Sequence, residues 1–283
     1  MQTIRQTAPL RGAVRKWREN KLSVVLVPTM GNLHAGHLAL VKEAQRMADR
    51  TIVSIFVNPT QFVAGEDYER YPRTLEQDSR RLSEAGTDIL FAPAVKELYP
   101  EGLERTTQVQ VPALDNILCG ASRPGHFTGV STVVTKLFNL VQPDVAIFGE
   151  KDYQQLLVIK RLVKELCMGI EIHSLPTVRE PDGLAMSSRN GYLTEEERRR
   201  APLLYQTLRA ARETIQQGET DYGLIEERGI AALEDAGFQP DYFSVRTAHD
   251  LSLPAKDQRH LVILAAGWLG QTRLIDNLSL TRR

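Results

Sequence analysis

The sequence predicts an α/β fold with two domains, a parallel-sheet domain over residues 1–180 and a smaller α+β domain over residues 181–283. The chain of 283 residues is long enough for two domains that each have a hydrophobic core. In the first part, short runs rich in β-branched residues alternate with apolar series at helical spacing. In the second part, two helical patterns precede three strand patterns, which is typical of an α+β domain.

The first strand, turn and helix form the clearest pattern. A helix is predicted at about 10–20, and an apolar run at 22–27 then leads through a glycine-bearing turn into a helix at about 36–49. The β-branched run at 51–57 completes a β-α-β unit, which requires parallel strands and a right-handed crossover. Ligands of such sheets bind at the carboxyl ends of the strands.

The other elements are predicted from the same periodicities. Helices are expected at 75–85, 130–141 and 153–166, and strands at 88–92, 107–111, 144–148 and 171–178. In the second domain, Thr194 is expected to cap a helix, followed by a helix whose apolar face is Leu204, Leu208, Ala211 and Ile215. A helix at 222–236 and strands at 241–247, 260–266 and 272–277 complete the prediction.

Composition limits the class of partner. Lys and Arg total 35 and Asp and Glu total 35, so no overall basic field would gather nucleic acid. No stretch reaches the roughly 20 apolar residues of a membrane span, and no signal-peptide pattern opens the sequence. We therefore expect a cytoplasmic protein without a nucleic-acid or membrane partner. Cys119 and Cys167 have no Cys-x-x-Cys spacing, and we expect both to be buried free thiols.

The turn between the first strand and its helix has the residues of an anion site. Gly31 and Gly36 allow the backbone to approach a ligand, and His34 and His37 lie near the helix start, where free N–H groups and the dipole favour an anion. A zinc site is disfavoured, because the two His are three residues apart and lack the Glu of the His-Glu-x-x-His motif. A purely structural role for the two His is the remaining alternative.

A second turn follows the strand at 144–148 and contains Lys151 and Asp152. An ammonium there would be a point charge for a polyphosphate, whereas the alternatives are a solvated turn lysine and an Asp that only caps the next helix. Ser187, Ser188 and Arg189 place two hydroxyls and a guanidinium on one short loop, which could also be an ordinary turn.

Gln61 follows the end of the strand at 51–57, and Gln155 follows the end of the strand at 144–148. An amide offers a donor and an acceptor but no acid–base chemistry, so we expect both to hold a substrate hydroxyl or carboxylate. The glycine-rich lysine motif of P-loop hydrolases is absent from the sequence.

Six motifs together are similar to those of the pantothenate synthetase family and occur in the same order. They are Pro28-Thr-Met-Gly-Asn-Leu-His-Ala-Gly-His37, Asn58-Pro-Thr-Gln-Phe62, Tyr71-Pro-Arg-Thr74, Arg123-Pro-Gly-His-Phe127, Phe148-Gly-Glu-Lys-Asp-Tyr-Gln-Gln155 and Arg179-Glu-Pro-Asp-Gly-Leu-Ala-Met-Ser-Ser-Arg-Asn190. The His-x-Gly-His motif alone would indicate only the wider nucleotidyltransferase superfamily.

The resemblance implies a Rossmann-like domain, a smaller C-terminal domain and a homodimer. It also implies condensation of (R)-pantoate with β-alanine, driven by ATP and Mg²⁺, through pantoyl adenylate with release of pyrophosphate and AMP. The ATP-binding positions that it implies are Met30, Gly31, Asn32, Leu33, His34, Ala35, Gly36, His37, Gly149, Glu150, Lys151, Asp152, Val178, Met186, Ser187, Ser188 and Arg189.

The resemblance also assigns roles. His37 is expected to be catalytic, Gln61 and Gln155 to hold pantoate, Gln61 also to meet β-alanine, and Asp78 to organise magnesium. His34, Lys151 and Arg189 join His37 as the groups that offset the repulsion between a carboxylate and ATP. One departure is that the wider superfamily carries a Lys-Met-Ser-Lys-Ser loop, where this chain has Met-Ser-Ser-Arg.

The sequence is also compatible with two other functions. A nucleotidylyltransferase would join AMP to a phosphorylated acceptor and stop, and it would need further cations for the acceptor. A non-catalytic nucleotide-binding module would use the fold without chemistry.

Overall fold

The computed structural model describes residues 1–282, which form two compact units. Unit 1 comprises Met1–Glu150 and Val158–Pro176, and unit 2 comprises Lys151–Leu157 together with the described residues from Thr177 onwards. Unit 2 thus includes a seven-residue segment that the predicted domain boundary near residue 180 assigns to the first domain.

Unit 1 contains a six-stranded sheet and its helices. The strands are β1 (Gln2–Ile4), β2 (Val24–Thr29), β3 (Arg50–Ile55), β4 (Ile89–Phe91), β5 (Val145–Gly149) and β6 (Glu171–Leu175). The helices are α1 (Thr7–Glu19), α2 (Ala35–Met47), α3 (Leu75–Glu84), α4 (Val95–Leu98), α5 (Pro112–Asp115), α6 (Cys119–Ser122) and α7 (His126–Val141), and α8 (Tyr153–Glu165) begins in unit 2.

The sheet has the order β1-β4-β3-β2-β5-β6, and every strand pair is parallel. This confirms the predicted parallel sheet. The chain winds outwards from β2 through β3 on one side and from β5 to β6 on the other, so the order reverses between β2 and β5. Such a switch point is where open parallel sheets form a ligand crevice.

Both faces of the central strands are buried, as a parallel sheet requires. Val25, Val27, Val53 and Ile147 face a core that also contains apolar residues of α2 and α3. The alternate residues of the strands are buried as well, including Leu26 on the opposite face. This packing fixes the sheet whose strand ends carry the predicted site.

Unit 2 contains an antiparallel sheet with helices that precede it in the chain. The helices are α9 (Glu195–Arg200), α10 (Leu203–Gln216) and α11 (Tyr222–Asp235), and the strands are β7 (Gln239–Thr247), β8 (His260–Leu269) and β9 (Thr272–Thr281) in that order. The predicted face of α10 is buried in the core of the unit, and Thr194 forms the predicted cap through a reciprocal pair with Glu197. The predicted α+β character is confirmed.

The structure differs from the prediction at several points. Residues 107–111 do not form a strand, because the Val109 backbone N–H donates to the Thr132 hydroxyl rather than to a neighbouring strand. The predicted alternation in burial is nevertheless present, since Val111 is buried and its neighbour Gln110 is exposed. Strand β1 was not predicted, since three residues are too few to show a period. Cys119 is buried as expected, but Cys167 is exposed.

None of the helices in residues 1–282 has both the length and the apolar character needed to cross a membrane.

Candidate active site

The turn after β2 depends on two residues with left-handed backbone. Gly31 has a φ of 85° and Asn32 a φ of 50°. A Cβ on Gly31 would lie 3.0 Å from the Ile55 side chain and 3.2 Å from a carboxylate oxygen of Asp78. Glycine therefore serves both the conformation and the close packing of the turn.

Asp78 holds this turn from the first turns of α3. Its side chain is fully buried, and its two oxygens accept the backbone N–H groups of Asn32 and Leu33, each at 2.8 Å. The Thr74 hydroxyl donates a third hydrogen bond at 3.1 Å, and the Arg81 guanidinium donates to the Leu33 carbonyl. The carboxylate thus binds the turn itself, a contact that the sequence does not indicate, and the magnesium role implied by the resemblance stays a prediction.

His34 and His37 cap the start of α2. The His34 Nδ1 accepts the backbone N–H of Gly36 at 3.2 Å, and the His37 Nδ1 accepts the backbone N–H of His34 at 3.3 Å. The two rings lie 4.1 Å apart. Because a backbone N–H can only donate, each neutral ring carries its hydrogen on Nε2. In both neutral imidazoles the ring hydrogen-bond donor is therefore Nε2–H.

The other residues of this turn differ in exposure. Met30, Asn32 and Gly36 are half-buried, Ala35 is exposed, and Leu33 belongs to the core of unit 1. Leu33 therefore anchors the turn by its side chain, while its backbone N–H and carbonyl are bonded to Asp78 and Arg81.

Gln61 lies in the 3-10 helix Pro59–Gln61 that follows β3, and its side chain is oriented by Asn58. The Asn58 Nδ2 donates to the Gly129 carbonyl at 3.2 Å, which identifies it as the nitrogen. The same Nδ2 donates to the Gln61 Oε1 at 3.0 Å. The amide nitrogen of Gln61 is therefore the group that remains for other partners, and it lies 3.1 Å from the Met30 Sδ.

Tyr99 binds the oxygen of the Asn58 amide. Burial raises the pKa of the Tyr99 phenol, with a hydrogen bond from Thr60 opposing it, so the hydroxyl stays protonated at neutral pH. It donates to the Asn58 Oδ1 at 2.8 Å. The donor directions from Tyr99 through Asn58 to Gln61 are consistent with one another.

The motif at 123–127 holds the backbone of Gln61. The His126 Nδ1 lies 2.7 Å from the Gln61 carbonyl oxygen, and the Arg123 Nη2 donates to that oxygen at 3.3 Å. Arg123 is also paired with the half-buried Glu66, at 2.7 Å. The sequence alone indicates no role for the residues of this motif.

Gly149 ends β5, the strand that pairs with β2 across the switch point, and Glu150 follows it directly. The Glu150 Oε1 accepts a hydrogen bond from the Ser174 hydroxyl at 2.9 Å. In unit 1, then, the turn after β2, Gln61 after β3, and Gly149 with Glu150 after β5 all lie at the carboxyl edge of neighbouring strands.

Unit 2 holds the other predicted residues. Lys151 and Asp152 are half-buried in the 3-10 helix Glu150–Asp152, with the Lys151 Nζ 3.8 Å from the Asp152 Oδ1. Gln155 lies half-buried in the first turn of α8. The Met186 N–H donates to the Val178 carbonyl at 3.0 Å, and the Ser187 hydroxyl accepts the Arg189 N–H at 3.2 Å, which caps the 3-10 helix Ser188–Tyr192.

Comparison with known proteins decides the family. The model of the pantoate-beta-alanine ligase family matches residues 2–279. The pantothenate synthetase of Nitrosococcus oceani is 56% identical over 278 residues, which cover 98% of this chain and 97% of that protein. The chain belongs to the pantoate-beta-alanine ligase family.

Solved structures of ligases from this family agree with the fold. The pantothenate synthetase from Thermus thermophilus has a TM-score of 0.91 at 49% identity and covers 98% of this chain and 99% of its own. The pantoate-beta-alanine ligase from Francisella tularensis, a complex with beta-gamma ATP and β-alanine, has a TM-score of 0.84 at 36% identity over 98% and 97% of the two chains. The resemblance found in the motifs and its fold are therefore confirmed.

Proposed function

We propose that this chain joins (R)-pantoate to β-alanine at the expense of ATP, through pantoyl adenylate. The observation that carries the proposal is the contact between Gln61 and Met30, which places an expected pantoate residue beside an expected ATP residue. Membership of the ligase family and the ATP and β-alanine complex of the Francisella tularensis relative support it.

In the first step, a pantoate carboxylate oxygen attacks the α-phosphorus of ATP, and the bond to pyrophosphate breaks. A carboxylate is a poor acylating group until its oxygen is part of a good leaving group, which adenylation provides. Two anions must approach each other, so cationic groups and hydrogen-bond donors are needed as charge shifts onto phosphate oxygens. His34 and His37 would donate from Nε2, and Lys151 and Arg189 would supply charge.

Gln61 and Gln155 would hold pantoate. The Gln61 amide presents its nitrogen, since Asn58 donates to its oxygen. An N–H donor suits a carboxylate or hydroxyl oxygen of pantoate, and it leaves that carboxylate ionised and able to attack.

In the second step, the amine of β-alanine attacks the acyl carbon of pantoyl adenylate. The amide bond forms, the bond to AMP breaks, and the amine loses a proton. The mixed anhydride must be kept from water, which is a role that we assign to the aromatic segment 65–74. The Arg123 pair with Glu66 gives that segment one fixed attachment.

Magnesium would neutralise part of the pyrophosphate charge, held mainly by the phosphates of ATP. Three hydrogen bonds leave the Asp78 oxygens little capacity for a metal, so this geometry does not favour the predicted magnesium role. Within residues 1–282 no three His, Cys, Asp or Glu side chains cluster as metal ligands. Magnesium, the homodimer and the cytoplasmic location stay predictions.

The test is the substrate dependence of the two product releases. Pyrophosphate release from ATP should require pantoate, and AMP release should then require β-alanine. Pyrophosphate release that is indifferent to pantoate would overturn the proposal. A nucleotidylyltransferase would leave AMP on its acceptor, and a binding module would release neither product.

A further inference from the structure

Unit 2 contains a buried ion pair between Arg179 and Asp276. The Arg179 Nη1 and Nη2 donate to the two Asp276 oxygens at 2.6 and 2.9 Å, and the Asp276 side chain is only 2% exposed. Burial raises the pKa of the Asp276 carboxyl, and the paired guanidinium opposes this effect. A buried pair of this kind is weak evidence for stability, since apolar replacements are often as stable.

Arg179 stabilises the short hairpin at 179–185, which is followed by the loop 186–189. Its guanidinium also donates to the Gly183 carbonyl at 3.1 Å and stacks 3.7 Å above the Tyr205 ring. Gly183 has a φ of 94°, and a Cβ there would lie 2.7 Å from the same ring. The hairpin closes through the pairing of Arg179 with Ala185, immediately before Met186. The start of the loop is therefore fixed by Arg179.

Asn277, the next residue on β9, fixes the Lys151 turn. Its side-chain Nδ2 donates to the Lys151 carbonyl at 2.9 Å. Its own backbone N–H donates to the Asp276 Oδ1 at 2.8 Å, and its carbonyl accepts from the Arg179 Nη2 at 3.3 Å. Asp276 and Asn277 thus connect, through adjacent positions of one strand, two segments that are far apart in sequence.

We propose that Arg179, Asp276 and Asn277 are positioning residues that hold Lys151 and the loop 186–189 at a fixed spacing for the triphosphate of ATP. The inference rests on the proposed function, in which both segments bind ATP. Electrostatic stabilisation depends on cations and donors that are already in place before charge moves. Misplacement by roughly 1 Å can cost about 10²-fold in rate.

The experiment compares Arg179→Lys and Asn277→Ala with wild type. Calorimetry measures the affinities for ATP and for pantoate, and rapid quench measures single-turnover pyrophosphate release. Arg179→Lys keeps a charge but loses the bidentate fork, and Asn277→Ala leaves the ion pair intact. Each variant should weaken ATP binding or slow release by about tenfold, with pantoate affinity unchanged.

The matched control is Arg273→Lys, in a more exposed ion pair of β9, 2.7 Å from Asp241. It should lower the melting temperature without changing ATP affinity or rate. The proposal is overturned if Asn277→Ala and any folded Arg179→Lys keep wild-type ATP affinity and rate. Because ATP affinity needs no turnover, a wild type that binds ATP without pantoate-dependent release would remove the proposed function, while the variants would still decide the positioning role.

Discussion

The Gln61 side-chain nitrogen lies 3.1 Å from the sulfur of Met30. Met30 belongs to the turn after β2, and Gln61 follows β3, the neighbouring parallel strand. Adjacent parallel strands end at the same edge of the sheet, so residues 31 positions apart in sequence meet there. This arrangement would bring a carboxylate held by Gln61 to a nucleotide held by the turn.

Gln61→Ala should weaken pantoate binding and leave ATP affinity nearly unchanged. The loss removes one hydrogen bond to a charged substrate, which is worth about 1.5–3 kcal/mol, or roughly 10- to 100-fold in affinity. Calorimetric titration with each substrate separately checks this. Gln77→Ala, at an exposed position of α3, is the control and should bind both substrates normally. Equal losses of pantoate and ATP affinity would instead indicate a structural role for Gln61.

Gly129→Ala should displace the backbone that carries Gln61. A Cβ at this position would collide with the Thr60 carbonyl and lie 2.8 Å from the backbone nitrogen of Gln61. The 3-10 helix Pro59–Gln61 or α7 must therefore move. We expect a loss of about 1–3 kcal/mol in stability and a pantoate KM raised more than the ATP KM. Gly12→Ala on α1 meets nothing within 4 Å and should be neutral or stabilising. A Gly129→Ala enzyme with wild-type pantoate KM would refute this coupling.

Asp78→Asn should loosen the turn after β2. The amide has one acceptor oxygen, so its NH₂ would face a backbone N–H, at a cost of about 2 kcal/mol in the free energy of unfolding. ATP affinity should fall, and added Mg²⁺ should not restore it. Chemical denaturation and ATP titrations over a range of Mg²⁺ concentrations measure both effects, with the exposed Glu76→Gln of α3 as control. Recovery at high Mg²⁺ would favour the metal role predicted from the sequence.

His37→Ala should slow adenylation more than it weakens ATP binding, because its Nε2–H is proposed to bind most tightly in the transition state. We expect about 10²-fold or more in the single-turnover rate. His37→Gln, whose amide can reach the Nε2 position, should recover part of the rate, and His37→Asn should not. The exposed His249→Ala serves as control. An unchanged single-turnover rate in His37→Ala would exclude the catalytic role.

The elements around the site were predictable because their signals are local. The β-branched runs of β2 and β3 and the Gly31 turn lie within about 30 residues, and the parallel sheet follows from the β-α-β unit. By contrast, the pattern at 107–111 was misleading, since alternation shows only which side chains are buried and not whether a partner strand exists.

The supporting contacts of the site were not predictable, because they join distant positions. Asp78 binds backbone groups 45 and 46 residues away, and nothing near it in sequence distinguishes this acceptor from a metal ligand. The role of Asn58 depends on Tyr99 and on the Gly129 carbonyl, 41 and 71 residues away. Such roles follow from the fold rather than from a motif.

The most direct test of the proposed acyl adenylate intermediate is the fate of the pantoate carboxylate oxygens. Pantoate labelled with ¹⁸O in its carboxyl group is converted with ATP and β-alanine, and the AMP is analysed by mass spectrometry. If the carboxylate attacks the α-phosphorus, and the amine then breaks the acyl–oxygen bond, each AMP carries one ¹⁸O atom. AMP without ¹⁸O would contradict an acyl adenylate intermediate.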